Sequence, residues 1–436
     1  MQLFPIKSLF DSSISLIGYG VSNKALLRYL LKIGACPVVR SPVPVDLPNG
    51  IEGVFGKDYL DASEDVIFRS PSVRPDKFPA SSHVFTEAGF TLESSCAHKI
   101  GITGSDGKST TSTLIHKMLS GAGLTSYLGG NIGTPLIDYL DVAGRGDYLV
   151  CELSSFQLYD YEPPLDVCVI TSISENHLDW HTSLGEYIFS KRNILKRAKR
   201  AVVNYDCEYR GFFTHSNTTY YSLSDCHDKL NAGEDYVYLR NGYVYYNEKR
   251  LFPKDIIKIK GKYNLLNMLG AIGAVYKLVP LEEIIEVAKS FSGLSHRAEG
   301  IYTLNGVKFI DSSADSTPAR TLATLSAFPK ERVALIMGGY DKNLSYDILR
   351  TELSGVKCVI LYGANKEKIK NSINGAVKSI YANDISEAVS LAYNLAHEGD
   401  YVLLSPASAS FDMFKDYRDR AEKYKDAIRG LENGKD

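Results

Sequence analysis

The sequence predicts an α/β protein of three domains, and three observations support this fold class. First, the chain has 436 residues, a length that suits about three domains of ordinary size. Second, short apolar strands alternate with helical patterns in three stretches of chain, as in parallel sheets joined by crossover helices. Third, a glycine-rich run, GITGSDGKSTT, lies at residues 101–111, between one of these strands and a helix.

The first predicted domain covers residues 1–94. It opens with a strand, a glycine turn and a helix in ISLIGYGVSNKALLRYLLKI, residues 14–33, and this order predicts a Rossmann-like sheet. The turn has only two fingerprint glycines, and the second strand ends in Arg40 instead of an acidic residue that would bind a ribose diol. A nicotinamide cofactor is therefore disfavoured. Two interpretations stay open: a purely structural turn, or a site for another nucleotide-like ligand.

The second predicted domain covers residues 95–297 and has a P-loop ATPase-like core. Its expected strands lie near residues 99–103, 147–154 and 166–173, and its expected later helices at 263–277 and 281–291. Helices between strands imply parallel pairing through crossovers. A tyrosine-rich stretch contains VYLRNGYVYY, with Asn241 and Gly242 at the turn. This stretch predicts a hairpin in a small added β subdomain.

The third predicted domain covers residues 298–436. Four apolar strands, VKFID, RVALIMGG, KCVILYG and DYVLLSP, alternate with helices, which predicts a second Rossmann-like, doubly wound sheet. Thr317 is expected to cap one of these helices, with Pro318 at its first position.

The composition excludes several classes of partner. Lys and Arg total 49 against 51 Asp and Glu, and this net charge of -2 provides no general attraction to nucleic acid or an anionic membrane. The seven cysteines form no C-x-x-C pair, which fits a reducing cytoplasm and disfavours structural zinc. No run of about 18 apolar residues is present. We therefore expect a cytoplasmic protein that neither spans nor binds a membrane.

The glycine-rich run almost fits the phosphate loop G-x-x-x-x-G-K-[ST]. Five residues, not four, separate Gly101 from Gly107. In such a loop the backbone N–H groups and the helix N-terminus face phosphates, Lys108 reaches the β and γ oxygens, and a hydroxyl of Ser109 or Thr110 binds Mg²⁺. The alternative is a flexible glycine turn with a surface lysine.

Two further candidates follow neighbouring strands. Glu152 ends a strand in CELSSFQL, and His177 follows another in SENHLDWH. Both are expected at the carboxyl edge of the sheet, on the side of the phosphate loop. A carboxylate and a neutral imidazole there could complete the coordination of a divalent metal on a triphosphate. Either residue alone could instead be structural.

Segments along nearly the whole chain resemble the ATP-dependent Mur ligases and occur in the order found in that family. They are GITGSDGKSTT, GGNIGTP, CELSSFQL, SENHLDWH, KYNLLNMLGAI, LSHRAE, DSSADSTPART, GGYDKNLSY and LLSPASASFD. The five-residue spacing before Gly107 is that family's variant of the loop. The resemblance implies that the three domains bind a UDP-sugar substrate, ATP and an amino acid, in that order along the chain.

The implied reaction joins D-glutamate to UDP-N-acetylmuramoyl-L-alanine in peptidoglycan precursor synthesis, with ATP and Mg²⁺. The substrate carboxylate attacks the γ-phosphate to give an acyl phosphate, which the D-glutamate amine then attacks. Two alternatives remain: a sister ligase of the same family that adds another amino acid, or a nucleotide-dependent switch ATPase. We expect a monomer.

The resemblance also assigns roles to residues. The implied catalytic residues are Lys108, His177 and Lys191. The implied ATP-binding residues are Gly104, Ser105, Asp106, Gly107, Lys108, Ser109, Thr110, Asn264, Asn267, Arg297 and Asp311. The implied metal ligands are Ser109, Glu152, His177 and Lys191. The implied substrate-binding residues are Ser22, Asn131, Lys342, Ser410 and Phe411.

Three positions carry further expectations. Lys191, in YIFSKRNIL, matches the family lysine that CO₂ converts to a carbamate, although a solvated helix lysine is the competing interpretation. In the third domain, Ser313 and Asp315 stand where one common form of the family has lysine and threonine. The amino-acid contacts of those two family side chains are therefore not expected in this chain.

Overall fold

The computed structural model describes residues 11–79, 83–178, 180–225 and 234–433. By its contacts the chain divides into two compact units. The first contains residues up to 258 together with 264–291, and the second contains 259–263 together with the residues from 292 onward. Three sheets run through the described residues, two in the first unit and one in the second. They have five, nine and six strands.

The first sheet is parallel and has the strand order β3-β2-β1-β4-β5. Its strands are Ile14–Ile17 (β1), Val38–Ser41 (β2), Gly53–Phe55 (β3), Val66–Arg69 (β4) and His83–Phe85 (β5), and its helices are Val21–Lys32 (α1) and Glu87–Ser94 (α2). Every residue of β1 and β4 is buried. Strands covered on both faces read as continuous apolar runs, which is why β1 was recognisable from its sequence.

The second sheet has the strand order β14-β13-β12-β11-β10-β9-β6-β8-β7. Its strands are His98–Thr103 (β6), Ser126–Gly130 (β7), Tyr148–Glu152 (β8), Val167–Ile170 (β9), Arg200–Asn204 (β10), Thr218–Ser222 (β11), Asp235–Arg240 (β12), Tyr243–Tyr246 (β13) and Lys249–Pro253 (β14). The helices along this stretch are Lys108–Gly121 (α3), Ser155–Leu158 (α4), Leu184–Arg192 (α5), Lys262–Val275 (α6) and Leu281–Ser290 (α7).

The tyrosine-rich hairpin forms as expected, with Asn241 and Gly242 both at positive φ, 51° and 79°. Its strands extend the central sheet, because β12 pairs in parallel with β11. The physical reason is burial: Tyr236, Val237 and Tyr238 are consecutive and all buried, so β12 is covered on both faces like a central strand. The predicted β subdomain is therefore the antiparallel end of this sheet.

The third sheet has the strand order β15-β16-β20-β17-β18-β19. Its strands are Glu299–Leu304 (β15), Val307–Asp311 (β16), Val333–Gly338 (β17), Cys358–Tyr362 (β18), Ser379–Tyr381 (β19) and Tyr401–Leu404 (β20). Its helices are Pro318–Leu325 (α8), Leu349–Glu352 (α9), Lys366–Ile373 (α10), Ile385–Leu395 (α11) and Tyr417–Asn433 (α12). All pairs are parallel except β15 with β16.

The predicted cap of α8 is confirmed. The side chain of Thr317 accepts a hydrogen bond from the backbone N–H of Arg320, and Pro318 occupies the first helical position. The α/β fold class is also confirmed. The predicted domain limits fall between α2 and β6 and just before β15, and as limits they stay a prediction. Residues 1–10 and 434–436 of the outer predicted domains lie outside the described residues.

The strand order determines where functional side chains can meet. Strands β9, β6 and β8 are adjacent and parallel, so their carboxyl ends open on one edge of the sheet. The phosphate loop follows β6, Glu152 ends β8, and the segment carrying His177 follows β9. In open α/β sheets this edge is where ligands bind. Within the described residues, every helix is too short or too polar to cross a membrane.

Candidate active site

The glycine-rich loop can form only because two of its positions lack a side chain. Gly104 has φ of 149°, and a Cβ there would lie 1.8 Å from Oγ1 of Thr171. Gly107 has φ of 85°, and a Cβ there would lie 2.2 Å from Oδ1 of Asn267. Both backbone conformations also disfavour residues with a Cβ. Neighbouring segments therefore fix the spacing of the glycines.

The loop is held by the segment that follows β9. The backbone N–H of Ser105 donates to the carbonyl of Ser172 at 2.6 Å, and Oγ of Ser105 donates to the carbonyl of Ser174 at 2.9 Å. Oγ1 of Thr171 donates to the carbonyl of Asp106 at 2.6 Å. These bonds satisfy loop groups that would otherwise be free to move, so the loop has one defined shape. These contacts disfavour the alternative of a flexible glycine turn with a surface lysine.

Helix α3 begins directly after Gly107, with the hydroxyl residues Ser109 and Thr110 buried in its first turn. The first N–H groups of a helix lack intrahelical partners and favour anions. The ammonium of Lys108 donates to the carbonyls of Gly104 and Ser105, both at 2.9 Å. The loop therefore combines a helix N-terminus with a lysine that lies over its own backbone, a combination suited to phosphate.

Glu152 brings three of the predicted residues into one network. Its side chain is almost completely buried, with the residue 2% exposed. One carboxylate oxygen accepts from Oγ of Ser109 at 2.7 Å, and the other accepts from Nδ2 of Asn131 at 2.7 Å. The backbone N–H of Asn131 also donates to the carbonyl of Glu152, at 2.8 Å. An oxygen-rich set of a carboxylate and a hydroxyl beside a phosphate loop suits Mg²⁺.

Lys191 approaches the same loop from α5. The residue is 2% exposed, and its ammonium nitrogen donates to the carbonyl of Gly104 at 2.8 Å. Burial, and secondarily the nearby charge of Lys108, holds the pKa of Lys191 well below its usual range. The interpretation of Lys191 as a solvated surface lysine is therefore wrong. A lowered pKa makes the neutral, nucleophilic form of the amine easier to reach.

His177 lies in a tight turn after β9. Its φ is 56°, a left-handed conformation that is uncommon for a residue with a side chain and often marks a functional site. Its carbonyl accepts from the backbone N–H groups of Trp180 and His181, at 3.1 and 2.9 Å. Its ring lies edge-on to Phe156 of α4, with ring centroids 4.8 Å apart. The turn therefore fixes the backbone of His177, and Phe156 packs against its ring.

His181 is a buried neighbour that the sequence reasoning missed. One ring nitrogen is 2.9 Å from Oγ of Ser155, and the other is 3.6 Å from a carboxylate oxygen of Glu186. Burial lowers the pKa of His181 to about 4, so the imidazole is neutral near pH 7. The only signal in the sequence was a second histidine four positions after His177. Arg69 and Arg74, which also contact this region, carried no motif at all.

Asn264 and Asn267, both implied ATP-binding residues, lie three positions apart and share one face of α6. Nδ2 of Asn267 lies 3.4 Å from Oδ1 of Asn264, and Oγ1 of Thr111 lies 3.5 Å from Oδ1 of Asn267. Since Asn267 also packs against Gly107, this face adjoins the start of α3. Contact of these residues with ATP stays a prediction.

Ser22 lies half-buried in the first turn of α1. Close to it in sequence is a cavity of about 350 Å³, lined by Tyr19, Lys24, Pro44, Val45 and Asp46. The turn before α1 is braced by Asn23, whose side-chain N–H₂ donates to the carbonyls of Ile17 and Gly18 at 3.0 and 2.8 Å. Tyr19 and Lys24 in this lining are further candidates for binding the substrate, and the sequence analysis did not name them.

In the second unit, Asp311 ends β16 and is completely buried. One of its carboxylate oxygens lies 2.7 Å from Nδ1 of His296, and the other accepts from the backbone N–H of Ser313 at 2.8 Å. Arg297 follows His296 in the loop before β15. The histidine partner of Asp311 was not predicted. The contacts of Arg297 and Asp311 with ATP stay predictions.

The three predicted amino-acid-binding residues lie on two chain segments that contact each other. Tyr340 pairs with Ala409 in an antiparallel bridge, so the segment carrying Lys342 runs beside the one carrying Ser410 and Phe411. Ser410 is buried, whereas Phe411 is 64% exposed. This edge of the second unit therefore presents a cation and an aromatic ring to solvent.

The side chain of Asp315 is buried and hydrogen-bonded within the second unit. Its carboxylate accepts from Oγ1 of Thr324 at 2.7 Å and from Oγ of Ser405 at 2.8 Å. It is buried, and burial raises its pKa. These contacts hold the segment before α8 against the last turn of that helix and against the residue that follows β20. The expectation that Asp315 does not supply the family's amino-acid contact stays a prediction.

Two segments of the chain match known domain families. The Mur ligase middle domain matches residues 102–275, and the Mur ligase, glutamate ligase domain matches residues 296–408. The UDP-N-acetylmuramoylalanine-D-glutamate ligase of Ruminiclostridium cellulolyticum is 37% identical over 459 aligned positions, covering 98% of each chain. The enzyme of the same name from Clostridium kluyveri is 38% identical, covering 96% of each chain.

Solved structures show the same fold at lower identity. The UDP-N-acetylmuramate-alanine ligase of Thermotoga maritima superposes with a TM-score of 0.62 at 18% identity, covering 96% of this chain and 100% of that one. A pseudomurein peptide ligase type C from Methanothermus fervidus superposes with a TM-score of 0.61 at 19% identity, with the same coverage.

Proposed function

The chain belongs to the Mur ligase family, and from this premise we propose that it joins D-glutamate to UDP-N-acetylmuramoyl-L-alanine in peptidoglycan precursor synthesis. The observation that carries the proposal is the buried Glu152, which connects Ser109 of the phosphate loop to Asn131. This network joins a candidate metal and phosphate site to a candidate substrate residue. Similarity to D-glutamate ligases along 98% of the chain supports the choice of substrates.

The chemistry requires activation of a carboxylate, which is a poor electrophile until one oxygen becomes a good leaving group. An oxygen of the substrate carboxylate attacks the γ-phosphorus of ATP, and ADP leaves. The D-glutamate amine then attacks the acyl carbon, phosphate leaves, and the nitrogen loses a proton as the amide forms. The phosphate loop suits the first step, since N–H groups and Lys108 stabilise the charge that develops on the transferring phosphoryl group.

Mg²⁺ fits this site because the donors are a buried carboxylate and a hydroxyl. Ser109, Glu152 and His177 would hold it, and when bound it would neutralise phosphate charge. Glu152 is oriented by Asn131 on one side and by Ser109 on the other. Asn131 therefore helps to orient the carboxylate in addition to its proposed contact with the sugar nucleotide.

We further propose that CO₂ converts Lys191 to a carbamate, which would be a fourth ligand of the metal site. Formation of a carbamate requires a neutral amine, whose lone pair attacks the carbon of CO₂ while the nitrogen releases a proton. The low pKa of the buried Lys191 supports this chemistry. Its position on the carbonyl of Gly104 supports a role beside the phosphates.

The remaining roles are assigned to the second unit and to the adenine side of the first. Arg297 and Asp311 are proposed to contact ATP phosphate and ribose, and Asn264 and Asn267 to contact adenine. Lys342, Ser410 and Phe411 are proposed to receive D-glutamate, because a cation and a hydroxyl suit its carboxylates. A monomeric state and a cytoplasmic location complete the proposal.

The test is phosphate release from ATP and Mg²⁺ with UDP-N-acetylmuramoyl-L-alanine, with and without D-glutamate, while the product is followed by mass. Release that requires both substrates and yields the joined product is expected. Release without them would favour the switch ATPase. Product formation with L-lysine, meso-diaminopimelate or L-alanine instead of D-glutamate would favour a sister ligase.

A further inference from the structure

Two arginines, one at the end of β4 and one in the loop that follows it, contact residues around the segment that carries His177. Arg69 ends β4 and is completely buried. One terminal nitrogen donates to a carboxylate oxygen of Asp160 at 2.6 Å and to the carbonyl of Phe156 at 3.1 Å. The other donates to the carbonyl of Val73 at 3.0 Å. Arg69 therefore fastens the loop after β4 to the backbone of the residue whose ring packs on His177.

Arg74 lies further along the same loop and makes more contacts. It donates to the carbonyl of Trp180 at 3.0 Å, to both carboxylate oxygens of Glu186 at 3.1 and 3.3 Å, and to the hydroxyl of Tyr159 at 2.6 Å. Its guanidinium also lies 4.8 Å from the ring centroid of Tyr159 and 5.1 Å from that of Trp180. The planar guanidinium of arginine offers several N–H donors in a fixed arrangement, and the ammonium of lysine cannot make the same set of contacts.

Glu186, which is bound to Arg74, contacts the turn that contains His177 and lies in the helix that carries Lys191. It accepts from the backbone N–H of Thr182 at 2.7 Å, which fixes the end of the turn containing His177. It also lies in the first turn of α5, whose last turn carries Lys191 against the carbonyl of Gly104. Five residues of helix rise about 7.5 Å, so one rigid helix connects the two contacts.

The loop at residues 70–76 also adjoins the turn before α1. A Cβ on Gly18 would lie 2.9 Å from Cβ of Ser70, and the indole N–H of Trp180 donates to the carbonyl of Ser72 at 2.7 Å. A single short loop thus contacts the candidate sugar-nucleotide turn on one side and the His177 segment on the other.

We propose that Arg74 is a positioning residue for ligation: by holding Trp180 and Glu186 it fixes the turn that carries His177 and the helix that carries Lys191. The inference rests on the proposed function, because His177 and Lys191 act in ligation there. Arg74 itself is not required to touch a substrate.

A contrasting ion pair supplies a matched control. Arg28 of α1 also pairs across to the region after β7, with Asp138 at 3.3 Å, but 66% of its side chain is exposed. Exposed pairs contribute little. The Arg74 side chain is only 20% exposed, and besides its contacts with Trp180, Glu186 and Tyr159 it pairs with Asp76. If any ion pair in this region were enough to hold the turn that carries His177, removing Arg28 or Arg74 would have the same effect on that turn.

The test uses Trp180, the single tryptophan of the chain, as a local probe in the free protein. We compare R74A, R74K and R28A with the wild type by thermal unfolding, tryptophan emission and acrylamide quenching. R74A is expected to shift the emission to longer wavelength and to increase quenching, because Trp180 loses a stacked cation and a backbone anchor. R28A is expected to leave both unchanged. Wild-type emission and quenching in R74A would overturn the proposal.

The same variants are then assayed for ligation across a Mg²⁺ series. R74A is expected to lower kcat and raise the half-saturating Mg²⁺ about tenfold, since outer partners of metal ligands typically have such effects. KM for D-glutamate is expected to change less. R74K is expected to lie between R74A and the wild type. If R74A fails to fold, R74K carries the test, and wild-type kcat and Mg²⁺ dependence in R74K would overturn the proposal.

The two proposals fail in different ways. A wild type that does not couple phosphate release to amide formation contradicts the proposed function, whatever Arg74 does. A wild type that ligates, with an R74A variant that is folded and equally active, contradicts only the positioning role. In a double variant of Arg74→Ala and Glu186→Gln the defect should be smaller than the product of the two single defects, because both residues act on the same helix. Multiplying defects would contradict action through Glu186.

Discussion

The proposed phosphate edge of the first unit and the proposed amino-acid edge of the second unit are built differently. In the first, Glu152 and Lys191 are almost fully buried and hydrogen-bonded to the loop. In the second, Phe411 is 64% exposed and Lys342 is exposed. Electrostatic stabilisation of phosphoryl transfer requires groups fixed before reaction. The difference implies that changes in the first unit affect kcat, whereas changes in the second affect mainly KM for the amino acid.

The largest effect is expected from Glu152→Gln. The amide keeps the size of the side chain but removes the charge that the proposed metal site needs, so kcat should fall about 10²- to 10³-fold, as when one preorganised group is removed from an active site. Steady-state kinetics measure this. Glu162→Gln, at an exposed carboxylate paired with Lys196, is the control. A near-wild-type kcat in Glu152→Gln would contradict the claim that the buried groups of the first unit determine kcat.

Lys191→Ala should be nearly as damaging. The cavity it leaves lies beside the phosphate loop, where a small carboxylate such as acetate should replace the proposed carbamate, whereas bicarbonate alone should not. Activity is measured with and without each salt, and Lys196→Ala is the control. Unchanged activity in Lys191→Ala, or identical behaviour of the control, would contradict the carbamate proposal.

Gly104→Ala should destabilise the protein by about 3 kcal/mol or more, because a Cβ would overlap Oγ1 of Thr171 and φ is positive. Gly133→Ala separates the two causes, since Gly133 has φ of 65° and nothing within 4 Å of its Cβ position. Its loss should be smaller. Denaturant unfolding measures both, and equal losses would mean that contact with Thr171 does not shape the loop.

A pH effect should follow from His181, whose pKa is lowered from 6.5 to about 4 by burial. The unfolded chain binds more protons than the folded one in this interval, so the free energy of unfolding should fall as pH drops from about 6.5 to 4. The decrease should be smaller in His181→Gln, whereas His98→Gln, at an exposed position, should resemble the wild type. Parallel pH profiles for all three proteins would exclude His181 as the cause.

The smallest effect is expected from Phe411→Ala. Because this ring is exposed, its loss should raise KM for D-glutamate with little change in kcat or in the free energy of unfolding. Tyr417→Ala, which removes another aromatic ring that is 38% exposed, provides a comparison variant. A large loss of kcat in Phe411→Ala would mean that the second unit is as preorganised as the first.

The sequence predicted the features that short patterns encode. The strands β6, β8 and β9, the loop between Gly104 and Gly107, and the placement of Glu152 beside Ser109 all followed from local order along the chain. Parallel strands bring their carboxyl ends to one edge, so residues far apart in sequence could be expected to meet there.

Other features depend on contacts without a local pattern. Arg74 and Glu186 are 112 positions apart, and no motif marks either one. The burial of Lys191 was likewise not predictable from YIFSKRNIL, since its neighbour Arg192 is not buried. The tyrosine-rich strands showed the correct hairpin turn, but their pairing with β11 depends on a neighbouring strand edge that a sequence pattern does not show.

The most direct test of the central claim follows one oxygen atom. UDP-N-acetylmuramoyl-L-alanine labelled with ¹⁸O in its carboxylate is incubated with ATP, Mg²⁺, D-glutamate and the protein, and the released phosphate is analysed by mass. Attack of the carboxylate on the γ-phosphorus predicts one ¹⁸O in each phosphate formed with the amide product. Unlabelled phosphate would contradict the account, because ATP would then have been hydrolysed without activating the carboxylate.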